Sequence, residues 1–97
     1  MTRISVRFFT VLRELIGQKE IVVEFAERHI TVERLLESLV RRYGKEFKEY
    51  VFDPVSNDVR GHLQLLVNGR NIASLSGLDT RLEDGDVFAI IPPVGGG

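Results

Sequence analysis

Ninety-seven residues suffice for one compact domain with a single core, and a chain that is 43% hydrophobic and 28% charged is globular rather than disordered. A net charge of −1 offers no attraction to nucleic acid or to an anionic membrane, and no apolar run approaches the ~20 residues that span a bilayer. There are no cysteines, which excludes disulfides, thiolate metal sites and persulfide chemistry on this chain.

In chain order, Ile4, Val6 and Phe8 alternate with Ser5, Arg7 and Phe9, predicting a first strand. Nothing here looks like a signal-type apolar core, so the expected location is the cytoplasm. A short helix follows, with Val11, Leu12, Leu15 and Ile16 spaced for one buried face and Gly17 as its stop. Residues 19–25 read as a second strand carrying Ile21, Val23 and Phe25 on one side. Residues 26–30 read as a loop leading to Thr31, an N-cap. The main helix runs from Val32 to Tyr43, where Val32, Leu35, Leu36, Leu39, Val40 and Tyr43 make one apolar stripe. Glu33 suits its positive end, Arg41 and Arg42 its negative end, and Gly44 a left-handed cap.

Residues 45–50 predict a short helical turn, and 52–61 carry turn signals in Asp53-Pro54, Ser56-Asn57-Asp58 and Gly61. A third strand over residues 62–68 places Leu63, Leu65 and Val67 on one face. Asn68-Gly69 is a tight-turn dipeptide, residues 71–73 read as a short strand, and 76–81 as loop. Asp84-Gly85 then turns into Val87 to Ile91, an unbroken apolar run that reads as a buried strand. Pro92 and Pro93 stop it, because neither ring donates to a ladder and both fix φ. Val94, Gly95, Gly96 and Gly97 follow, slim enough for a narrow channel. Residues 92–97, at ~3.3 Å each, carry the expected terminal carboxylate about 20 Å beyond the strand. A core strand, a rigid launch and a slim tip present a carboxyl terminus to another protein.

Leu82-x-Asp84-Gly85-Asp86, the apolar strand, Pro92-Pro93-Val94 and Gly96-Gly97 resemble the small (MoaD-like) subunits of molybdopterin synthase, within the ubiquitin-like sulfur-carrier family. Phe8-Phe9, Leu12-Arg13-Glu14-Leu15, Gly17 and Val67-Asn68-Gly69 extend the likeness over most of the chain. Residues 46–61 match nothing in that pattern, and Gly95 stands where a small residue such as alanine is more usual. The resemblance implies an α+β β-grasp fold, a mixed sheet packed on one main helix, with the two chain ends as neighbouring parallel strands in its middle. Residues 1–97 are then one domain, with 92–97 as its protruding tail.

The same resemblance implies a reaction. A ubiquitin-activating-type adenylyltransferase uses ATP to adenylate the carboxylate of Gly97, and a sulfur donor converts the acyl-adenylate to a thiocarboxylate. The tail, Pro92 to Gly97, next inserts into the large subunit of a heterotetrameric synthase and delivers sulfur to a cyclic pterin precursor. The chain itself binds no cofactor and is not an enzyme alone; the catalytic side chains belong to its partners. Carriers for thiamine synthesis or tRNA thiolation share the Gly-Gly end, as do modifiers joined to lysines. Both stay open, beside a plain β-grasp binding module with an inert tail.

Side-chain alternation adds a surface. With Ile4, Val6, Phe8, Phe88 and Ile90 facing the helix, Phe9, Val22, Leu66, Val87, Ala89 and Ile91 point outward. A solvated sheet face is polar, so this group, rimmed by Arg7, Glu24 and Gln64, reads as a partner surface with Phe9, Leu66, Ala89 and Ile91 as contacts. His29 and His62 are isolated, and Asp84 and Asp86 fit turn chemistry better than paired catalysis. No serine has a nucleophile-elbow context and no phosphate-binding glycine loop is present.

Overall fold

The computed structural model describes residues 1–93. Its main sheet has the order β2-β1-β7-β4-β5, where β1 is Thr2–Phe8, β2 Glu20–Phe25, β4 Gln64–Val67, β5 Arg70–Asn71 and β7 Val87–Ile91. β1 and β7 run parallel at the centre, with Val6 opposite Phe88 and Phe8 opposite Ile90. β2 and β4 flank them antiparallel. This is the β-grasp order. β7 lies between two strands with both faces at least half covered, which is why its sequence is apolar at every position instead of alternating.

One face of the sheet is closed by α2, Val32–Tyr43. The Thr31 hydroxyl accepts the Arg34 N–H at 3.2 Å, fixing the first turn as an N-cap. Val32, Leu35, Leu36 and Leu39 are buried and join Ile4, Val6, Phe8, Phe88 and Ile90 in one cluster. Val40 and Tyr43 are partly buried at its border, with the Phe8 and Tyr43 rings edge-to-face, 6.2 Å apart.

The folded chain departs from the sequence pattern in several places. In α1, Thr10–Ile16, only Leu12 is buried; Val11 and Leu15 are 54% and 37% exposed, so the expected four-residue apolar face is corrected. The opening beside Leu12 is instead occupied by α3, Lys45–Val51, whose Phe47 and Val51 have no exposed surface. The stretch outside the family pattern is thus part of the core. Gly44 has φ +83° and ψ −155°, which is not the expected left-handed helical cap. It ends α2 and starts α3 without an intervening loop, and that sharp a turn requires a region reserved for glycine.

Two further strands pair antiparallel: β3 (His29–Thr31) overlaps the loop expected at 26–30, and β6 (Arg81–Glu83) begins on the last residue of the loop expected at 76–81. The short strand expected at 71–73 is displaced: β5 ends at Asn71, and Ile72–Ser74 form a 3-10 turn whose Ala73 N–H is accepted by the Asn71 side chain at 2.8 Å. Asn68 and Gly69 both have positive φ, the geometry of a type I′ hairpin turn. In the 52–61 segment the Asp53 carboxylate accepts N–H groups of Val55 and Ser56, at 2.8 and 3.2 Å. Those two bonds hold its carboxyl below the usual aspartate range.

Candidate functional site: the outer sheet face and the root of the tail

The strand register assembles the outer face row by row. Ser5 lies between Val22 and Val87, Arg7 between Glu20 and Ala89, and Leu66 on the other side of Ala89. Gln64 faces Ile91. Phe9, at φ −129° and ψ 150°, continues β1 by one extended residue, which brings it alongside Ile91. Phe9, Leu66, Ala89 and Ile91 therefore do share one patch, each half-buried, with Val87 beside them and Val22 50% exposed at the β2 edge. The Arg7 guanidinium bonds Glu20 at 2.9 Å, and Arg3 approaches Glu24 at 3.8 Å, so the β2 side of the face is an ion-paired rim.

The tail starts where this patch ends. Because β1 and β7 are parallel, Phe8-Phe9 and Ile90-Ile91 lie at the same end of the sheet. Pro92 is half-buried and Pro93 exposed. Val94, Gly95, Gly96 and Gly97 fall outside the described residues.

A feature that the periodicity does not reveal adjoins Phe9. Arg7, Phe8, Phe9, Arg13, Lys19 and Glu20 line a groove of about 360 Å³. The Phe8 N–H donates to the carbonyl of Lys19 at 2.9 Å, which holds the β2 entry against the end of β1, and α1 brings Arg13 over the same end. Arg13 lies in the Leu12-Arg13-Glu14-Leu15 motif, so its signal was present in the sequence. Lys19 carried none.

The other candidate groups sit where turns need them. Asp84 accepts the Arg3 N–H at 2.8 Å, while Asp86 accepts Asn68 Nδ2 at 3.0 Å and the Glu83 N–H at 2.8 Å. His29 and His62 are exposed. Among the described residues no three His, Asp or Glu side chains converge on a metal position, and no helix is long and apolar enough to cross a membrane.

A family model described as the ThiS family matches residues 6–97. The chain belongs to the ThiS family. It is 36% identical over 94 residues to small archaeal modifier protein 3 of Haloferax volcanii, a match covering 97% of this chain and 98% of that one. The solution structure of small archaeal modifier protein 1 from Methanosarcina acetivorans superposes with a TM-score of 0.83 at 33% identity, over 100% of this chain and 98% of that one. A Pyrococcus furiosus chain provisionally described as molybdopterin converting factor subunit 1 gives a TM-score of 0.75 at 33% identity, over 97% of this chain and 100% of the other. ThiS-family membership and the ubiquitin-like β-grasp fold are thereby established. The more specific molybdopterin synthase assignment is not, since the modifier proteins are at least as similar.

Proposed function

We propose that this ThiS-family chain is a ubiquitin-like carrier and modifier whose reactive group is the carboxyl of Gly97. A partner adenylylating enzyme joins that carboxylate to AMP from ATP and releases pyrophosphate. The acyl-adenylate is then attacked either by sulfide, which displaces AMP and leaves a thiocarboxylate, or by a lysine ε-amine of another protein, which displaces AMP and leaves an isopeptide bond. Both outcomes use the same activated carbonyl, so one tail serves both, and the chain supplies no catalytic side chain of its own. Pro92, Pro93 and Val94 space the reacting end from the sheet, and Gly95 and Gly96 keep it narrow. Phe9, Leu66, Ala89 and Ile91 are the contacts that seat the partner. The observation that carries this reading is the near full-length likeness to small archaeal modifier protein 3. It favours modification and general sulfur transfer over the pterin-specific role.

Donation of sulfur to a pterin precursor, as the small subunit of molybdopterin synthase, remains the second reading. The Pyrococcus furiosus likeness and the Leu82 to Val94 motif favour it. Intact-mass analysis of the protein from its own cells tests the proposal, searching for one oxygen replaced by sulfur and for isopeptide conjugates ending in Gly97. Deleting Gly97 should abolish both products and leave the thermal transition unchanged. An unmodified terminus together with no conjugates would sink it, and so would normal products from the shortened chain.

A further inference from the structure

On the side of the molecule away from the outer sheet face, α2, α3 and the loop after α3 frame a groove of about 580 Å³. Leu36, Val40, Phe52 and Leu78 form its apolar floor. Glu33, Glu37 and Arg41 are spaced i, i+4 and i+8, so they climb one wall of it over about 12 Å. α3 starts at Gly44, which places Lys48 near the C-terminal end of α2, with Arg41. All four charges are exposed, and none forms an ion pair among the described residues. Glu33 and Glu37, one turn apart, repel each other. Nearby charges are engaged elsewhere: Arg34 with Glu27, Lys45 with Glu49, and the Asp53 carboxylate with two N–H donors. Asp79 and Arg81 flank Thr80, whose carbonyl accepts the Val32 N–H, and so offset each other beside Glu33. Asp58, next to the groove residue Asn57, and Arg42, over the Tyr43 ring, bring opposite charges to the other end. A projection adjoins the groove. The 52–61 loop is braced by the Asp53 N–H to the Asp58 carbonyl at 2.8 Å and by the Phe52–Val59 bridge. It holds Val55 94% exposed, two residues from Asn57 in the groove wall.

We infer that this face is a self-association surface whose occupant is a second copy of the chain. A two-fold axis across the groove sets two α2 helices antiparallel, with Glu33 and Glu37 of one copy against Arg41 and Lys48 of the other, and repeats the same contacts in reverse. Each of the four charges then has an opposite across the interface. The same axis offers Val55 of each copy to the apolar floor of the other. Two grooves alone would meet badly, but a groove with an adjoining knob is its own complement. A uniformly acidic or basic partner would satisfy one end and oppose like charge at the other, and an apolar partner would strand all four charges. Because α2 lies on the opposite side of the sheet from Phe9 and Ile91, pairing leaves both outer faces free. The pairing does not depend on the carrier reading.

The test is sedimentation equilibrium of the full chain at concentrations up to about 1 mM. A groove and one loop fall below the ~1,200–2,000 Å² of standard interfaces, so Kd should be about 0.1–1 mM in about 0.05 M salt. It should rise about threefold or more in about 0.5 M salt, where screening acts within a few ångströms. Glu33→Lys with Glu37→Lys should be monomeric, and so should Arg41→Glu with Lys48→Glu, because each then sets like charges against each other. An equal mixture of the two variants should pair again, since one is cationic along the whole groove and the other anionic. Val55→Ser should weaken pairing about threefold without altering the fold. Phe9→Ser, on the outer sheet face, should leave pairing unaltered. Circular dichroism first establishes that each variant is folded; if Glu33→Lys, a cation at the positive end of α2, prevents folding, Glu37→Lys mixed with Arg41→Glu carries the test. A parent chain that stays monomeric at about 1 mM, charge variants that pair as the parent does, or a mixture that fails to recombine would overturn the inference. Masses that climb past the dimer would mean a head-to-tail array instead of a closed pair and would overturn it too. Loss of pairing in Phe9→Ser but not in the groove variants would move the second copy to the sheet face and have the same consequence. Deleting Gly97 should leave pairing unchanged, so failure of the carrier reading and failure of this one are separate results.

Discussion

Phe8 and Phe9 are consecutive, chemically identical and placed on opposite faces of the sheet, which permits a controlled comparison of folding with recognition. Phe8 is 1% exposed and meets Tyr43 edge-on at 6.2 Å, within the cluster formed by β1, β7 and α2. Phe8→Ala removes that ring from a packed interior, a change that costs about 3–5 kcal/mol. With a urea dependence of about 1.5 kcal/mol per molar for a chain of this size, the denaturation midpoint should fall by roughly 2–3 M. Against total stabilities of about 5–15 kcal/mol, such a variant is close to unfolding. Phe9 is only half-buried, so Phe9→Ala should cost about 1 kcal/mol and shift the midpoint by less than about 1 M. On the binding side the order reverses. An apolar anchor near an interface centre commonly contributes about 2 kcal/mol, or roughly thirtyfold in affinity, and Phe9→Ser with Ile91→Ser should exceed that for the adenylylating enzyme. Urea melts followed by circular dichroism and titration calorimetry with the partner supply both numbers. Equal midpoint losses for the two phenylalanines, with no selective binding defect at Phe9, would place both rings in the core and refute the two-faced sheet.

Two other outcomes follow from local geometry. At Gly44 a Cβ would meet nothing within 4 Å, yet φ is +83° with an extended ψ, so Gly44→Ala should cost about 1–3 kcal/mol through backbone strain alone. That corresponds to a fall in Tm of roughly 5–20 °C by differential scanning calorimetry, and an unchanged Tm would mean that α3 reorients freely. At Asp53 the folded state favours the ionised carboxylate, so its contribution is fully present above the unfolded pKa of about 3.9 and is lost as pH falls through the lower folded value. An NMR titration of the Asp53 carboxyl should give a midpoint below the ordinary aspartate value, with Val55 and Ser56 amides exchanging faster below it; a normal midpoint would dissolve the turn argument.

The elements legible in the sequence are those whose period runs long enough to be counted. β1, β2 and the twelve-residue α2 present two or more repeats of their apolar spacing, and β7 is bounded by Gly85 and Pro92. β3 and β6, three residues each, are too short to display a period, and among the described residues they pair with each other alone. α1 departs from its sequence pattern for a different reason. Its apolar residues satisfy a helical face, but which of them are buried depends on α3, and Phe47 and Val51 arrive from a segment that carries none of the motif residues quoted for the resemblance. The candidate patch was readable because alternation on β4 and β7 assigns Leu66, Ala89 and Ile91 to one side. The groove was not, because Arg13, Lys19 and Phe9 belong to a helix, a strand entry and a cap, joined only by the hydrogen bond from Phe8 to Lys19 and by the course of α1.

β7 joins the root of the tail to the outer face proposed for docking. Phe88 and Ile90 go inward with no exposed surface, while Val87, Ala89 and Ile91 go outward from the same five residues. The strand is laddered on both sides, to β1 and to β4, so neither its position nor its rotation can change without breaking two sets of hydrogen bonds. A partner that grips Ala89 and Ile91 therefore grips a fixed reference, and the span from there to Gly97 is set by residues 92–97 rather than by any movement of the fold. Little ordering entropy is lost at the root of the tail on binding, and the free energy of the apolar contact remains available for affinity. An edge strand would serve worse, since it frays at one ladder and exposes N–H and C=O groups to other chains. Placing the last strand at the centre of the sheet thus couples a strand laddered on both sides to the residue proposed to react.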